Sequence, residues 1–189
     1  MRQQIAAILQ ESSKTMAATA EQAPLIESVA RKLVETVRAG GKILTCGNGG
    51  SAADAQHFAC ELVGTFMVKS RRAFPVVALT TNTSNLTSIG NDLSFDEVFR
   101  REVEALGKPG DVLVAITTSG NSPNVLKAVE QAKRQGLWVF GLTGGTGGKL
   151  KGLADACLVV PNPTTPRIQE THIAVIHILC ALAEEELSE

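Results

Sequence analysis

Five short apolar runs, separated by segments of helical periodicity, constrain the fold of this chain more than any other feature. The runs occupy residues 43–46, 76–79, 112–116, 138–142 and 156–160. Their apolar residues are continuous rather than alternating, as in strands that are buried on both faces. Strands that alternate with helices form parallel sheets with right-handed crossovers. The sequence therefore predicts an α/β fold around a parallel sheet of about five strands.

Helical patterns fill the intervals between the runs and both ends of the chain. We expect helices over residues 3–19, 22–39, 84–106, 123–134 and 165–186, a helix after Ser51, and a short turn over residues 148–153. The second leading helix carries a regular apolar stripe that includes Val29 and Leu33, whereas the stripe of the first is thin. A thin stripe predicts that the first helix packs against another subunit.

Length and charge narrow the possible functions. The 189 residues suit one domain, with N-terminal helices in residues 1–40 and an α/β core in residues 41–189. The formal net charge is −1, without a basic block, so electrostatic binding to nucleic acid or to an anionic membrane has no compositional support. No apolar run approaches the length that spans a bilayer. We expect a protein that acts on a small molecule.

The four cysteines indicate a reducing compartment. Cys46, Cys60, Cys157 and Cys180 lie far apart in apolar surroundings and form no C-x-x-C pair. No secretory signal precedes them. We therefore expect reduced core thiols in a cytoplasmic protein.

The loop after the first apolar run is rich in glycine. Residues 47–51 read GNGGS between a predicted strand and a helix that opens at Ser51 or Asp54. This arrangement offers backbone N–H groups and a helix dipole to an anion. The loop matches neither G-x-G-x-x-G nor G-x-x-x-x-G-K-[ST], so dinucleotide and ATP-type loops are disfavoured. His57 and Glu61 follow at a spacing that places both on one helix face, where they form either a metal or substrate site or an ordinary solvated pair.

Further loops follow the other predicted strands at the edge of the sheet where α/β proteins bind ligands. They comprise residues 80–84, 117–122 and 143–145. Residues 117–122 read TTSGNS and lead into a helix with Pro123 in its first turn. Hydroxyl donors and helix N-terminal amides can bind phosphate without a lysine, although serine and threonine also cap helices. The presence of TTSGNS opposite GNGGS favours phosphate binding.

Three polar residues interrupt the apolar surface of the last helix: Gln169, His172 and His177. Buried polar groups must be paired. The two histidines lie about 140° apart around the helix and cannot easily share one ligand, whereas Gln169 and His177 differ by about 80°. Periodicity leaves open which histidine is a ligand and which is a satisfied core residue.

Four stretches carry a family resemblance: CGNGGSAADAQHFACEL, ALTTNTSNLTSIGNDLSFDEVF, GDVLVAITTSGNSPNVLKA and TPRIQETHIAVIHILC. Together they resemble the sugar isomerase (SIS) superfamily, and most closely its phosphoheptose isomerases, also called sedoheptulose 7-phosphate isomerases. The resemblance runs over nearly the whole chain. It implies a three-layer α/β sandwich, with a five-stranded parallel sheet in flavodoxin-like order flanked by helices. It also implies an N-terminal helical pair used in oligomerisation and a homotetramer with active sites at subunit interfaces.

The resemblance also implies a set of site residues. One Zn²⁺ per subunit is expected on His57, Glu61, Gln169 and His177, and Glu61 and His177 are expected to be catalytic. The expected substrate contacts are Asn48, Gly49, Gly50, Ser51, Glu61, Asn91, Asp92, Thr117, Thr118, Ser119, Ser122 and Gln169. Pro166 and Asn82 depart from residues that are common at these positions in the family, which places any role of theirs in doubt.

The implied reaction interconverts sedoheptulose 7-phosphate and D-glycero-D-manno-heptose 7-phosphate through an enediol. It is the first step of ADP-heptose synthesis for the lipopolysaccharide core. The alternative is a non-catalytic SIS-fold adaptor that binds the replication initiator protein. Such adaptors lack the glutamate that matches Glu61, so its presence here favours the enzyme. A phosphosugar-sensing regulator is disfavoured because the chain has no room for a DNA-binding domain.

Overall fold

Five parallel strands form one sheet in the computed structural model of the chain, which describes residues 1–188. The strands are β1 (Ile43–Gly47), β2 (Val76–Ala78), β3 (Val112–Ile116), β4 (Trp138–Gly144) and β5 (Ala156–Val160). Their spatial order is β2-β1-β3-β4-β5, and every neighbouring pair is parallel. The predicted five-stranded parallel sheet of flavodoxin-like order is therefore confirmed.

The helices agree with the predicted segments, with one interruption. They are α1 (Arg2–Thr19), α2 (Ala23–Arg38), α3 (Gly50–Val63), α4 (Thr83–Asp92), α5 (Val98–Leu106), α6 (Pro123–Arg134), α7 (Leu150–Leu153) and α8 (Thr165–Leu187). The single helical region predicted over residues 84–106 is divided between α4 and α5. The backbone of Ser94 is extended, with φ −175° and ψ 163°, so the helix cannot continue through it.

Two apolar layers cover the two faces of the sheet. On β3, Val112 and Val114 join the core beneath α2, α3 and α8, whereas Leu113 joins the core beneath α5 and α6. The alternation of side chains along a strand produces this division, and it explains why the central strands are apolar throughout. Strand β2 departs from the pattern because it lies at the edge of the sheet, where Val77 is 38% exposed.

The first helix leaves much of its apolar surface uncovered. Helices α1 and α2 both pack against α8, but only α2 contributes a full set of side chains to the core. Four large apolar side chains of α1 remain exposed: Ile5, Ile8, Leu9 and Met16. Among the helices of residues 1–188, none is long and apolar enough to cross a membrane.

The cysteines are free thiols, as predicted, but one lies outside the core. Cys46 and Cys180 are buried and Cys157 is half-buried. Burial raises the pKa of the Cys46 thiol to about 12. Cys60 is exposed, which corrects the expectation that all four are core residues. Its apolar neighbours in the sequence face the core from α3, while Cys60 lies on the outer side of that helix.

The order in which successive strands join the sheet reverses at β1. From β1 it passes to β2 on one side, and β3 then pairs with β1 on the other side. Gly47 and Ile116 are register partners at the carboxyl ends of these strands. Loops that diverge from such adjacent ends leave a crevice, which is where open α/β sheets bind ligands. The GNGGS and TTSGNS loops both start at this point.

We predict that Gly120→Ala destabilises the loops at this edge of the sheet. Gly120 has φ +68°, and a Cβ there would lie 2.0 Å from the carbonyl oxygen of Gly147. Left-handed backbone costs about 1–2 kcal/mol for alanine, and the collision adds about 1–3 kcal/mol. The free energy of unfolding, measured by urea denaturation, should fall by about 3 kcal/mol.

Two glycines provide matched controls for this substitution. Gly110 has φ +90° and open space where a Cβ would lie, so Gly110→Ala should show only the backbone cost of about 1–2 kcal/mol. Gly152 lies in α7 with open space around it as well, and alanine there should be neutral or stabilising. Equal losses at Gly120 and Gly110 would show that the contact with Gly147 is unimportant.

Candidate active site

The glycine loop places the start of α3 beside the end of β1. Gly49 caps the helix with φ +55°, so the helix begins at Gly50 rather than at Ser51 or Asp54. A Cβ on Gly47 would lie 2.6 Å from the carbonyl oxygen of Ser51. Glycine therefore lets the chain turn from strand to helix within three residues. The turn fixes the direction of α3, which carries His57 and Glu61.

Three predicted site residues form one cluster: His57, Glu61 and His177. The Nε2 atoms of the two histidines are 2.8 Å apart, and His57 Nε2 is 3.2 Å from Glu61 Oε1. One ligand atom from each residue lies within 4.8 Å of the others. All three side chains are partly buried. The prediction that α3 and the last helix contribute to one group of ligands agrees with this geometry.

The donor set of this cluster fits a zinc ion. Zinc takes imidazole nitrogen at about 2.0–2.1 Å and carboxylate oxygen at about 2.0–2.2 Å, usually in tetrahedral sites. The ligand atoms of such a site lie about 3.3 Å apart. The measured separations of 2.8 and 3.2 Å are close to this value. Two imidazoles and one carboxylate also leave a fourth position for another ligand or substrate.

The structure separates the two histidines of α8. His172 is fully buried, and its Nε2 lies 3.2 Å from the carbonyl oxygen of Thr143 in β4. It is the core histidine that periodicity could not distinguish from His177. Gln169 is half-buried and lies against the glycine loop, because a Cβ on Gly50 would be 2.3 Å from its Nε2. The space left by that glycine therefore accommodates Gln169.

Hydroxyl groups of the TTSGNS loop hydrogen-bond to one another. Thr117 Oγ1 lies 2.8 Å from Ser122 Oγ and 3.4 Å from Ser119 Oγ. Ser122 occupies the N-cap of α6, but its side chain makes no capping hydrogen bond. Thr118 is half-buried, and its carbonyl accepts a hydrogen bond from Gly144 N at 3.1 Å. The hydroxyls therefore gather at a helix N-terminus that has no side-chain cap.

An asparagine pair that the sequence analysis did not identify joins the two loops. Asn48 and Asn124 exchange two side-chain hydrogen bonds of 2.8 Å each. Asn124 is 2% exposed. Asn124 lies on the buried face of α6, next to Val125 and Leu126. A polar residue among apolar ones on a helix face indicates that its side chain has a hydrogen-bond partner, and this was the available sequence signal.

Asp54 is a second residue that the sequence analysis did not assign to the site. It precedes His57 by three residues and Glu61 by seven, so it lies on the same face of α3. Its Oδ2 is buried and has no hydrogen-bond partner among residues 1–188. Burial raises its pKa to about 6, against the lowering effect of the charge on His57. Its spacing relative to His57 was the available sequence signal.

Asn91 and Asp92 lie apart from the cluster within one subunit. Both are exposed at the C-terminal end of α4, where Asn91 Nδ2 donates to Asp92 Oδ1 at 2.8 Å. Among the described residues, neither side chain hydrogen-bonds to the two loops or to the ligand cluster. Asn82 caps the other end of α4 by accepting a hydrogen bond from Asn85 N at 3.1 Å. Its function in this structure is to start a helix.

Comparison with known proteins gives consistent results along the whole chain. Residues 7–144 match the family model described as SIS domain. The phosphoheptose isomerase of Rhodospirillum rubrum is 52% identical over 187 residues, which cover 99% of each chain. The phosphoheptose isomerase of Geobacter sp. strain M21 is 52% identical over 188 residues, covering 99% of this chain and 97% of the relative.

Solved structures agree with the sequence comparisons. The phosphoheptose isomerase of Neisseria gonorrhoeae superposes with a TM-score of 0.92 at 45% identity, covering 97% of this chain and 98% of that one. The phosphoheptose isomerase of Francisella tularensis superposes with a TM-score of 0.94 at 37% identity, covering 97% of both chains.

We predict that His172 makes the protein less stable in weak acid. Burial lowers its pKa from 6.5 to about 4, against the raising effect of the Thr143 carbonyl. Below pH 6.5 the unfolded chain therefore binds a proton that the folded chain does not, and stability falls until the pH reaches about 4. Between pH 7 and pH 5 this histidine should remove about 2 kcal/mol per subunit.

Urea unfolding of metal-free protein at the two pH values measures this effect. In His172→Gln the loss between pH 7 and pH 5 should be smaller by about 2 kcal/mol than in the wild type. The protein is kept metal-free because any metal bound at the other two histidines would add a pH dependence of its own. An identical loss in both proteins would contradict the assignment of His172 as a buried neutral residue.

Proposed function

Since the chain belongs to the SIS domain family and groups with its phosphoheptose isomerases, we propose that it interconverts sedoheptulose 7-phosphate and D-glycero-D-manno-heptose 7-phosphate. The observation that carries the proposal is identity of 52% over 99% of both chains, combined with the cluster of His57, Glu61 and His177. An aldose–ketose isomerase needs a base, an acid and stabilisation of oxyanion charge. The cluster offers groups for each task.

Glu61 is proposed as the base at carbon. It removes a proton from C1 of the ketose while the C2 carbonyl oxygen takes up a proton, which gives the enediol. It then delivers a proton to C2 while the C1 hydroxyl loses its proton and becomes the aldehyde, so the protons balance. His177 moves protons on and off the substrate oxygens and assists ring opening. A carboxylate that is also a metal ligand is a weaker base, so Glu61 must ligate weakly or exchange as substrate binds.

The metal-binding residues are proposed to be His57, Glu61, Gln169 and His177, with one Zn²⁺ per subunit. The fit of the cluster to zinc distances supports the first, second and fourth of these. The packing of Gln169 against Gly50, at the start of the helix that carries His57 and Glu61, supports its inclusion. Zinc bound there would supply Lewis-acid polarisation of the substrate oxygens.

The phosphate is proposed to bind at the TTSGNS loop. Thr117, Thr118, Ser119 and Ser122 would donate hydroxyl or backbone hydrogen bonds, and the uncapped N-terminus of α6 would add backbone N–H groups. The residues of the neighbouring glycine loop that complete this part of the site are Asn48, Gly49, Gly50 and Ser51. Binding energy gained at the phosphate, remote from the reacting carbons, can be used to orient them.

A homotetramer with interfacial sites accounts for two exposed features. The apolar side chains of α1, which include Ile5 and Leu9, are uncovered in the single chain. Asn91 and Asp92, the proposed sugar contacts, are exposed and form no hydrogen bond with the cluster in one subunit. We propose that partner chains cover the apolar side chains of α1, and that Asn91 and Asp92 contribute to an active site formed together with a partner chain.

We propose that the enzyme acts in the cytoplasm and that it catalyses the first step of ADP-heptose synthesis. A partnership with nucleic acid or membrane is not part of the proposal, in keeping with a formal net charge of −1. The adaptor alternative is not favoured, because Glu61 is present and lies within the ligand cluster. The relatives that match over the full length are named as isomerases.

Replacement of the proposed base should reduce turnover. Glu61→Gln keeps the size of the side chain and removes the carboxylate, so kcat should fall at least about 100-fold, as general base catalysis contributes about 10²–10⁴-fold. The assay is isomerisation of sedoheptulose 7-phosphate, with metal content measured on the same samples. Glu35→Gln, at an exposed position on α2, is the matched control and should retain activity. A loss of less than about tenfold in Glu61→Gln, or roughly 1.4 kcal/mol of barrier, would show that Glu61 is not the base.

Histidine substitutions should identify the metal-binding set. Elemental analysis of protein purified without chelator should find about one zinc per subunit, as a single closed ligand set binds one ion. His57→Gln should lose the metal, whereas His172→Gln should retain it because His172 bonds to Thr143 in the core. Chelation should abolish activity and added zinc should restore it. Full activity of demonstrably metal-free protein would disprove a catalytic metal.

A further inference from the structure

The twelve-residue segment between α3 and β2, residues 64–75, is attached to a buried carboxylate on α8. Backbone N–H groups of Phe66, Met67 and Val68 donate to the Glu184 carboxylate at 3.1, 2.6 and 3.0 Å. The residue Glu184 is 1% exposed. Burial alone would raise the pKa of this carboxyl, but hydrogen bonds from Arg71 and the three amides lower it below its ordinary value. A charged group therefore lies inside the protein and organises the segment.

Arg71 connects this carboxylate to the end of α3. Its Nε donates to Glu184 Oε1 at 2.5 Å, and its terminal nitrogens donate to the carbonyl oxygens of Glu61 at 2.6 Å and Leu62 at 2.9 Å. The Arg71 side chain is fully buried, and its guanidinium lies 4.3 Å from the centre of the Phe74 ring. The two carbonyls that it binds belong to the last turn of α3, where intrahelical donors are missing.

The attached segment also touches the ligand cluster directly. The ring of Phe66 stacks on the ring of His177, with centroids 5.7 Å apart and an interplanar angle of 29°. Glu184 follows His177 by seven residues on α8, which places both on the same side of the helix, about 10 Å apart along its axis. One helix face therefore carries both the ligand and the anchor of the residue that packs on it.

We propose that the Arg71–Glu184 pair is a positioning device for the ligand cluster, which holds the end of α3 to α8 and presses Phe66 against His177. Within residues 1–188, neither Arg71 nor Glu184 hydrogen-bonds to a side chain of the ligand cluster, so Arg71, Glu184 and Phe66 are proposed as positioning residues. The inference rests on the proposed function in one respect, namely that His57, Glu61 and His177 bind metal. The contact between Phe66 and His177 exists independently of that assignment.

The alternative is that the pair only closes a loop. A loop clamp would affect thermal stability, but it would leave the environment of His177 and the metal affinity of the folded protein unchanged. Two features favour positioning. Arg71 binds the backbone carbonyl of Glu61, itself a member of the cluster, and Glu184 binds the backbone N–H of the residue stacked on His177. Arg71 is thus connected to the cluster through the backbone of Glu61, and Glu184 is connected to it through Phe66.

Histidine NMR tests the inference without requiring metal. The chain has three histidines, so protein labelled with ¹³C at the ring ε1 position gives three signals, and His172→Gln and His57→Gln identify two of them and leave the third to His177. In Glu184→Gln, measured metal-free, the His177 signal should move toward its position in Phe66→Leu, because the ring current of Phe66 is lost. The His172 signal should stay in place. Glu186 lies on α8, as Glu184 does, and forms an exposed ion pair with Arg38 of α2. Glu186→Gln is therefore the matched control and should leave all three signals unchanged.

Metal affinity provides the second measurement. Competition with a chromophoric chelator should show that Glu184→Gln binds Zn²⁺ about 10–100-fold more weakly than the wild type, which is the range for residues that orient ligands. Glu186→Gln should bind as the wild type does. Arg71→Lys and Phe66→Leu provide further variants if Glu184→Gln does not fold, and each should weaken binding in the same direction.

Each outcome distinguishes the inference from the function on which it rests. A wild type that binds no Zn²⁺ would disprove the metal proposal, and the His177 signal would then decide the positioning role alone. A His177 signal and a Zn²⁺ affinity that match those of Glu186→Gln would overturn the inference, even if the melting temperature of Glu184→Gln is lower. Arg71–Glu184 would then be a loop clamp only.

Discussion

The packing of α3 against α8 is the contact on which the candidate site depends. His57 and Glu61 lie on the first of these helices and His177 on the second, 120 residues from His57 along the chain. Apolar residues of both helices, such as Phe58 and Ile176, belong to the same buried core over the sheet. Because that core is close-packed, side-chain volume helps to set the separation of the two helices. The packing of these helices therefore brings the ligand atoms of His57, Glu61 and His177 together.

The sheet supplies the second constraint, and its features could be predicted from the sequence. Apolar runs identified the five strands because central strands of a parallel sheet are buried on both faces, as β3 is throughout. The edge strand β2 was identified too, although Val77 is exposed, because three apolar residues in a row suffice for the pattern. The break at Ser94 was not predicted, since nothing in local composition distinguishes an extended residue there from a helical one.

The site was predictable where it follows helical spacing and unpredictable where it depends on pairing between distant segments. The i, i+4 spacing of His57 and Glu61 placed them on one face correctly, but the choice between His172 and His177 required knowledge of what each helix face meets. His172 meets a backbone carbonyl of β4. Asn48 and Asn124 are 76 residues apart, and Arg71 and Glu184 are 113 apart. Such pairs have no periodic signal, so only the burial of one partner in an apolar face hints at them.

The two facing imidazoles give a physical reason for a cation at this site. With Nε2 atoms 2.8 Å apart, one neutral ring must donate the hydrogen bond and the other accept it. Glu61 Oε1, 3.2 Å from the same His57 nitrogen, can only accept when it is ionised. A single proton on His57 Nε2 therefore cannot make good hydrogen bonds to both His177 Nε2 and Glu61 Oε1. A cation among the three would satisfy both nitrogen lone pairs and the carboxylate together, which supports the proposal that this cluster binds metal.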